Sequence, residues 1–512
     1  MKRKIRVSSL LFGLVCLLAI AGCGSPTNKS AASASVAASS VPDSAVAATA
    51  NNETPVRTLT ILYTNDEHGW MEGVEPGQGA ANLLTLWREK EGYQPDAGFL
   101  ILSGGDMWTG PAISTWFQGE SMAEVMNLIP YAAAAVGNHE FDFGLAALQR
   151  RAAASAFPFV SANIRDKASG QTPRDAGIQP YTLITVNDIH VGIIGLTTTS
   201  TPVTTNPVNV SQFAFQDYEQ TLRQIVPEVR QAGAEMIVVP AHVCQAELES
   251  LARRVGDLGI TLMGGGHCNE LFAREVNGIV LLGGGYHLTS YARATLTFDI
   301  AAAAVVRSEF GVALNQGAAP DAAVQAVVDR WRDEADAELN QTIGYTNAGI
   351  PRRSPLMESL ITETWLLGYP TADVAITNRG GIRADIPPGD LTLAHIIGVL
   401  PFDNVLIELQ ISGSQLMQLL SQSQLTFGGL RAHQGGWIVA KTGQRLDPDA
   451  AYHILVTDFL YAGGDGLDEL ARFDPNGYNT AIDWRQPIID WVLSQNSTSS
   501  QPLDEALSAL AK

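Results

Sequence analysis

Seven side chains of this 512-residue chain have the types and placement to hold divalent metal: Asp66, His68, Asp106, Asn138, His139, His242 and His267. Asp66 and His68 lie two apart in Tyr63-Thr-Asn-Asp-Glu-His-Gly69. In an extended segment, residues two apart face the same way, so both can meet one ion. Asp106 follows Gly104 and Gly105, a pair that lets the backbone turn tightly. Its carboxylate has two oxygens and can bridge two cations. Carboxylate, amide and imidazole together suit Zn²⁺ or Mn²⁺ better than Ca²⁺. Singly, each residue has a plainer reading: an Asp caps a turn, and a His is a satisfied polar group. Five such segments in this order, each closing an apolar run, point to one metal centre rather than to coincidence.

The apolar runs are 59–63, 99–102, 132–136, 236–239 and 260–263. Runs this short read as buried strands. Between them, 83–91, 145–156 and 218–232 have helical patterning. Strands alternating with helices predict an α/β sheet, whose ligands gather beyond the carboxyl ends of strands. The length favours two domains. The first is assigned to 57–315. Residues 321–339 are charged, amphipathic and free of glycine and proline, which predicts a linker helix within 316–344. Further runs at 373–377, 405–411 and 452–456 give a smaller domain over 345–495. The tail, 496–512, reads as weakly specified.

Thr64-Asn-Asp-Glu-His-Gly69, Gly105-Asp106, Gly137-Asn-His-Glu-Phe-Asp142, His242 and Gly266-His-Cys-Asn269 resemble the motif set of the two-domain 5′-nucleotidases. These belong to the calcineurin-like metallophosphoesterase superfamily, and the likeness runs over nearly the whole chain after residue 57. It implies a four-layer metallophosphoesterase sandwich joined by the linker helix to a smaller α/β (α+β) nucleotidase domain. It implies one metal held by Asp66, His68, Asp106 and Asn269, and another by Asp106, Asn138, His242 and His267. Asn269 stands where many relatives carry His or Gln; its carbonyl oxygen can still ligate, with a weaker first metal. His139 is set apart from the ligands. With Asp142 it would form the catalytic dyad: an imidazolium stabilising phosphoryl charge, and a carboxylate keeping it oriented and charged. A metal-bound water or hydroxide would attack phosphorus in line.

In the second domain, Thr377-Asn-Arg-Gly-Gly-Ile-Arg383 resembles the family's phosphate-binding segment. Arg383 matches best, with Asn378 and Arg379 beside it, and Arg forks suit phosphate oxygens. Arg352 or Arg353 matches a further family arginine loosely. Pro401-Phe402 and Phe459-Leu-Tyr-Ala-Gly-Gly-Asp465 match the base and ribose site. Phe402 and Phe459 would sandwich a base, and Asp465 would accept ribose hydroxyls. The implied activity is nucleotide hydrolysis, in a cleft closed by rotation of one domain on the other. Relatives cleave nucleoside monophosphates, diphosphates, nucleotide sugars or 2′,3′-cyclic nucleotides. Two rival readings stand beside it. A sulfur-oxidation thiosulfohydrolase shares this fold and a similar metal pair but needs no base sandwich. A non-catalytic nucleotide-binding lipoprotein needs neither the His139–Asp142 pair nor a full ligand set.

The amino terminus carries Lys2, Arg3, Lys4 and Arg6, then an apolar run, 10–20, too short to be a stable span. Ile20-Ala21-Gly22-Cys23 follows, which resembles a bacterial lipoprotein signal over 1–22 with Cys23 as the lipidated residue. Residues 23–56 are Ala- and Ser-rich and cannot offset their ordering entropy, so they read as a disordered tether. The chain is therefore expected to be exported, lipid-anchored to the cell envelope, and monomeric. Its net charge of −20 becomes more negative once the basic leader is lost. That excludes a nucleic-acid polymer as partner. A small phosphorylated substrate remains compatible, because a local metal pair outweighs the distant field. Of the four cysteines, Cys16 belongs to the leader and Cys23 to the anchor. Cys244 and Cys268 are expected to be small buried packing residues near the site, with a disulfide as the lesser alternative.

Overall fold

The computed structural model describes residues 56–511. The leader 1–22, the lipidation residue Cys23 and, save Val56, the tether 23–56 lie outside the described residues. Among the described residues, no helix is long and apolar enough to cross a membrane.

The strand Val56–Thr64 shows why the chain forms layers. Leu59, Ile61 and Tyr63 point to one face and Leu62 to the other, and all four are fully buried. A strand buried on both faces needs a layer on each side. It sits mid-sheet among seven strands, parallel to Phe99–Ser103 and antiparallel to Ser290–Asp299. Tyr131–Ala135 extends the parallel set. In a second sheet, Met236–His242 runs parallel to Leu262–Gly264 and to Ile189–Ile194. Leu59, Ile61, Leu100, Ile193, Val238 and Leu262 meet between the two sheets. The helices Ala80–Leu86, Glu120–Met126, Leu145–Ala154 and Ala322–Leu339 cover the outer face of the first sheet. Tyr218–Gln231 and Gln245–Arg254 cover that of the second. This is the α/β architecture that the patterning predicts, in the four-layer form that the resemblance implies.

The helix Ala322–Leu339 starts where the Asp321 carboxylate accepts the backbone N–H groups of Ala323 and Val324. Val324, Val328, Trp331 and Ala335 bury in the first core, so the helix is docked on the sandwich rather than spanning free. The carboxy-terminal half has a five-stranded sheet in the order Leu425–Gly428, Val374–Asn378, Ala451–Thr457, Val405–Ser412, Tyr478–Asp483. Its three central strands are the three predicted apolar runs. The tail differs from expectation. Asp504–Leu510 is helical, and Leu503 and Leu507 bury in the core that also holds Trp365 and Trp484. Two leucines four apart do carry a helical period, but one repeat is too little to separate it from chance.

Candidate active site

Three strands of one sheet and two of the other deliver their loops to a common end, where the predicted polar residues meet. Asp106 is the hub. Its Oδ2 lies 2.9 Å from His242 Nε2 and 3.8 Å from His68 Nε2. Its Oδ1 accepts the backbone N–H of His139 at 2.8 Å. His68 Nδ1 donates to the Thr109 carbonyl (2.8 Å) and His242 Nδ1 to the Gly104 carbonyl (2.9 Å). A carbonyl only accepts, so these bonds fix both rings with Nε2 turned inward. The His267 ring lies 5.1 Å from that of His242, and its backbone N–H donates to Asp66 Oδ1 at 3.1 Å. Ligand atoms of Asp106, His242 and His267 fall within 4.8 Å of one another, as do those of His68, Asp106 and His139. His139 Nδ1, however, is taken by Asp142 Oδ2 at 2.7 Å, and Asp142 Oδ1 accepts the Thr205 hydroxyl at 2.8 Å.

The backbone that aims these groups is not extended, as their spacing suggests. The strand ends at Thr64, and Asp66 (φ 50°) and His68 (φ 47°) are both left-handed. So are Asp106 (61°), His267 (74°) and Asn269 (59°). A non-glycine residue in such a conformation costs about 1–3 kcal/mol, and the surroundings must hold it there. Hydrogen bonds do so: Asp66 N–H to the Gly105 carbonyl and His68 N–H to the Asp106 carbonyl, both 2.9 Å. Gly137 is needed beside the hub, because a Cβ there would stand 2.1 Å from Asp106 Oδ1.

Two buried carboxylates escaped the sequence reading. Glu140 accepts backbone N–H bonds from Gly137 (2.6 Å), Asp106 (2.9 Å) and Met107 (2.7 Å). Glu67 accepts the hydroxyls of Thr64 (2.6 Å) and Ser103 (2.9 Å). Burial, helped by the Asp106 charge, raises Glu140 to about 7; burial raises Glu67 to about 8. The only signal for either was its place inside a motif, between two site residues. Replacing Glu140 with alanine leaves three buried N–H groups without an acceptor, at about 1–3 kcal/mol each. Urea unfolding of the metal-free Glu140→Ala protein is expected to show a loss of about 3 kcal/mol or more. A loss below about 1 kcal/mol would show that the cradle is not held this way.

The residues present fit a cation. Asn138 Nδ2 donates to the Thr204 carbonyl at 2.9 Å, while Asn138 Oδ1 is buried and left without a hydrogen-bond partner among the described residues. Buried polar atoms are rarely left so unless something else satisfies them. Burial opposes ionisation of Asp106, yet His242, His139 and His68 hold it well below the usual carboxylate range. Burial likewise opposes charge on His242, but Asp106 and Asp66 raise it to about 10. Burial raises Asp66 to about 6. Protons thus stand in for positive charge at this centre, and a metal must displace them.

A cavity of about 460 Å³ opens on the centre, lined by both halves of the chain. The sandwich contributes His68, Asp106, Asn138, His139, His267 and Asn269; the other half contributes Asn378, Arg383, Phe402, Phe459 and Asp465. Arg383 Nη2 comes within 3.5 Å of His68 Nε2, and the Phe402 ring stacks on His139 at 5.8 Å and 22°. Asp465 accepts from Asn378 Nδ2 at 2.8 Å. Arg379 is not brought to the cavity: Glu358 binds its Nε at 2.7 Å and holds it away. A second cavity, about 500 Å³, shares His68, Asn269 and Arg383 and adds Arg352, Arg353 and His287. Cys244 and Cys268 are bonded to each other, not packed singly. The strand ends bring their Cα atoms to 5.2 Å, within disulfide range.

Residues 342–472 match the family model for the 5′-nucleotidase C-terminal domain. The snake venom 5′-nucleotidase of Crotalus adamanteus is 29% identical over 503 residues, covering 83% of this chain and 84% of that protein. Protein UshA of Salmonella pullorum is 26% identical over 517 residues, covering 88% of this chain and 92% of its own. Among solved structures, a 5′-nucleotidase precursor from Thermus thermophilus matches with a TM-score of 0.73 at 24% identity, over 86% of this chain and 97% of that one.

Proposed function

We propose, because this chain belongs to the two-domain metallophosphoesterase 5′-nucleotidase family and is a phosphoric ester hydrolase, that it releases phosphate from nucleotides outside the cytoplasm. The observation that carries this reading is the meeting of the Asp106 hub with Phe402, Phe459 and Asp465 around one cavity. Asp66, His68, Asp106 and Asn269 would hold one metal, and Asp106, Asn138, His242 and His267 the other. Two bound cations, Zn²⁺ or Mn²⁺, supply neutralisation of phosphoryl charge and acidification of the attacking water. His139, with Nδ1 held by Asp142, donates from Nε2 to a phosphoryl oxygen as charge builds there. Arg383 forks onto the phosphate. Phe402 and Phe459 stack on the base, and Asp465, steadied by Asn378, accepts ribose hydroxyls. A thiosulfohydrolase would leave those last residues idle.

The sandwich 57–315 then carries the chemistry and 345–495 the substrate recognition, with 316–344 as linker and rotation of one on the other gating the cleft. The leader 1–22, lipidation at Cys23 and the tether 23–56 would place a monomer on the outer side of a membrane, with the small nucleotide as its partner. The second cavity leaves room beyond the phosphorus, which favours extending the substrate range to nucleotide sugars.

Phosphate release should be measured over nucleoside monophosphates, diphosphates, nucleotide sugars and 2′,3′-cyclic nucleotides, with Mn²⁺ and Zn²⁺ supplied separately. Turnover of at least one class is expected; silence across all of them would defeat the reading. Phe402→Ala and Phe459→Ala are each expected to raise KM for nucleotides about 10–100-fold, from about 1–3 kcal/mol per stacked base. KM for glycerol phosphate, which has no base, should hardly move. An equal rise for both substrates would remove the stacking role.

A further inference from the structure

We propose that the Cys244–Cys268 disulfide is a positioning device for the metal centre, so that metal retention depends on its oxidation. The proposal rests on the metal-ligand reading above. Parallel pairing of Met236–His242 with Leu262–Gly264 stops at Pro240 and Gly264. Beyond that point, one loop carries His242 and the other carries His267 and Asn269. Cys244 lies two residues after His242, and Cys268 sits between His267 and Asn269. Among the described residues, two hydrogen bonds also tie these loops: Gly266 N–H to the Val243 carbonyl (3.0 Å) and Gln245 N–H to the Glu270 carboxylate (2.6 Å). Neither grips residues 267–269 themselves; from a third loop, Asp66 Oδ1 accepts the His267 N–H at 3.1 Å.

Those residues need gripping. His267 and Asn269 are both left-handed, a conformation that relaxes unless the surroundings impose it. Asn269 is exposed, and no hydrogen bond from its side chain exists among the described residues. The covalent bond at the residue between them ties both to the neighbouring loop. One belongs to each proposed metal set, so a single bond steadies two subsites. Cys268 is exposed and Cys244 half-buried, which leaves the bond open to reductant. Reduction adds two electrons and two protons and gives two thiols; a phosphine reductant becomes its oxide with an oxygen from water. Partners that orient metal ligands typically change affinity 10–100-fold, and that is the effect expected here.

The test uses the full chain, freed of metal and titrated with Mn²⁺ by electron paramagnetic resonance well below its melting temperature. Peptide mapping without reduction should find the Cys244 and Cys268 peptides joined. Cys244→Ala/Cys268→Ala should bind Mn²⁺ about 10–100-fold more weakly than the oxidised wild type. Wild-type protein reduced with phosphine and freed of reagent should show the same weakening, reversed on reoxidation; it also serves where the double variant folds poorly. A merely structural bond would lower the melting temperature and leave Mn²⁺ affinity alone, which overturns the proposal but spares the metal reading. Separate peptides in the unreduced map overturn it too. Oxidised wild type that binds no Mn²⁺ overturns both.

Discussion

Asp106→Ala is expected to lose both metals and to lower nucleotide turnover by about 10³–10⁴-fold, each tenfold being about 1.4 kcal/mol. Second-sphere changes alone weaken metal binding 10–100-fold, and loss of a carboxylate proposed to serve both subsites should cost more. Asp106 meets His242 at 2.9 Å and His68 at 3.8 Å, and no neighbouring acid can replace it. Glu140 is committed to three backbone N–H groups, and Asp66 is bound by Asn65 and by the His267 N–H. The metal-free protein offers a second readout. His242 is raised from 6.5 to about 10, so its contribution to stability is full below pH 6.5 and is lost as pH rises through 10. Asp106 is held below its ordinary 3.8, so its contribution is present above that pH and is lost as pH falls through the lowered value. The melting-temperature gap between wild type and Asp106→Ala should therefore be widest between about pH 4 and 6.5 and should narrow toward pH 10. Two metals still bound to Asp106→Ala, measured by elemental analysis, would show that the hub lies elsewhere.

Much of this centre could be read without coordinates because two signals coincide. Apolar runs mark buried strands, and the polar residues that close them mark the sheet's ligand-bearing end. Asp66, Asp106, Asn138, His242 and His267 all fell to that reasoning. It failed where the cause was non-local. The side-by-side faces of Asp66 and His68 were inferred from a pleat, but left-handed turns aim them, and such turns depend on bonds to Gly105 and Asp106 some forty residues on. Arg379 sits in a matching segment, yet Glu358, on a preceding helix, claims it. Cys244 and Cys268 looked like packing residues because nothing in their spacing says that two parallel strands stop side by side. Glu67 and Glu140 carry no sequence signal beyond their place inside the motifs. Only the fold shows that their carboxylates collect backbone and hydroxyl donors.

His139→Ala is expected to keep both metals and to lower kcat by about 10²–10³-fold, the usual loss when one charge-stabilising donor is removed from a reacting group. Its setting explains why the loss should appear in turnover rather than in binding. The ring is held by Asp142 through Nδ1 and lies nearly parallel to Phe402, 5.8 Å away, so it is positioned before substrate arrives. Burial alone would lower its pKa, but the charges of Asp142 and Asp106 outweigh that and hold it above the ordinary value. With the imidazolium as the proposed working form, activity should fall as pH rises past that raised pKa. Asp142→Asn keeps an acceptor for Nδ1 but removes the charge, so the pKa drops and the alkaline limb of the kcat profile moves to lower pH. Bound metals push the same pKa down in both proteins, and the comparison between them survives that. An unmoved alkaline limb in Asp142→Asn would detach His139 from the limb. Full activity in His139→Ala with two metals bound would leave the phosphoryl charge to Arg383 and the metals alone.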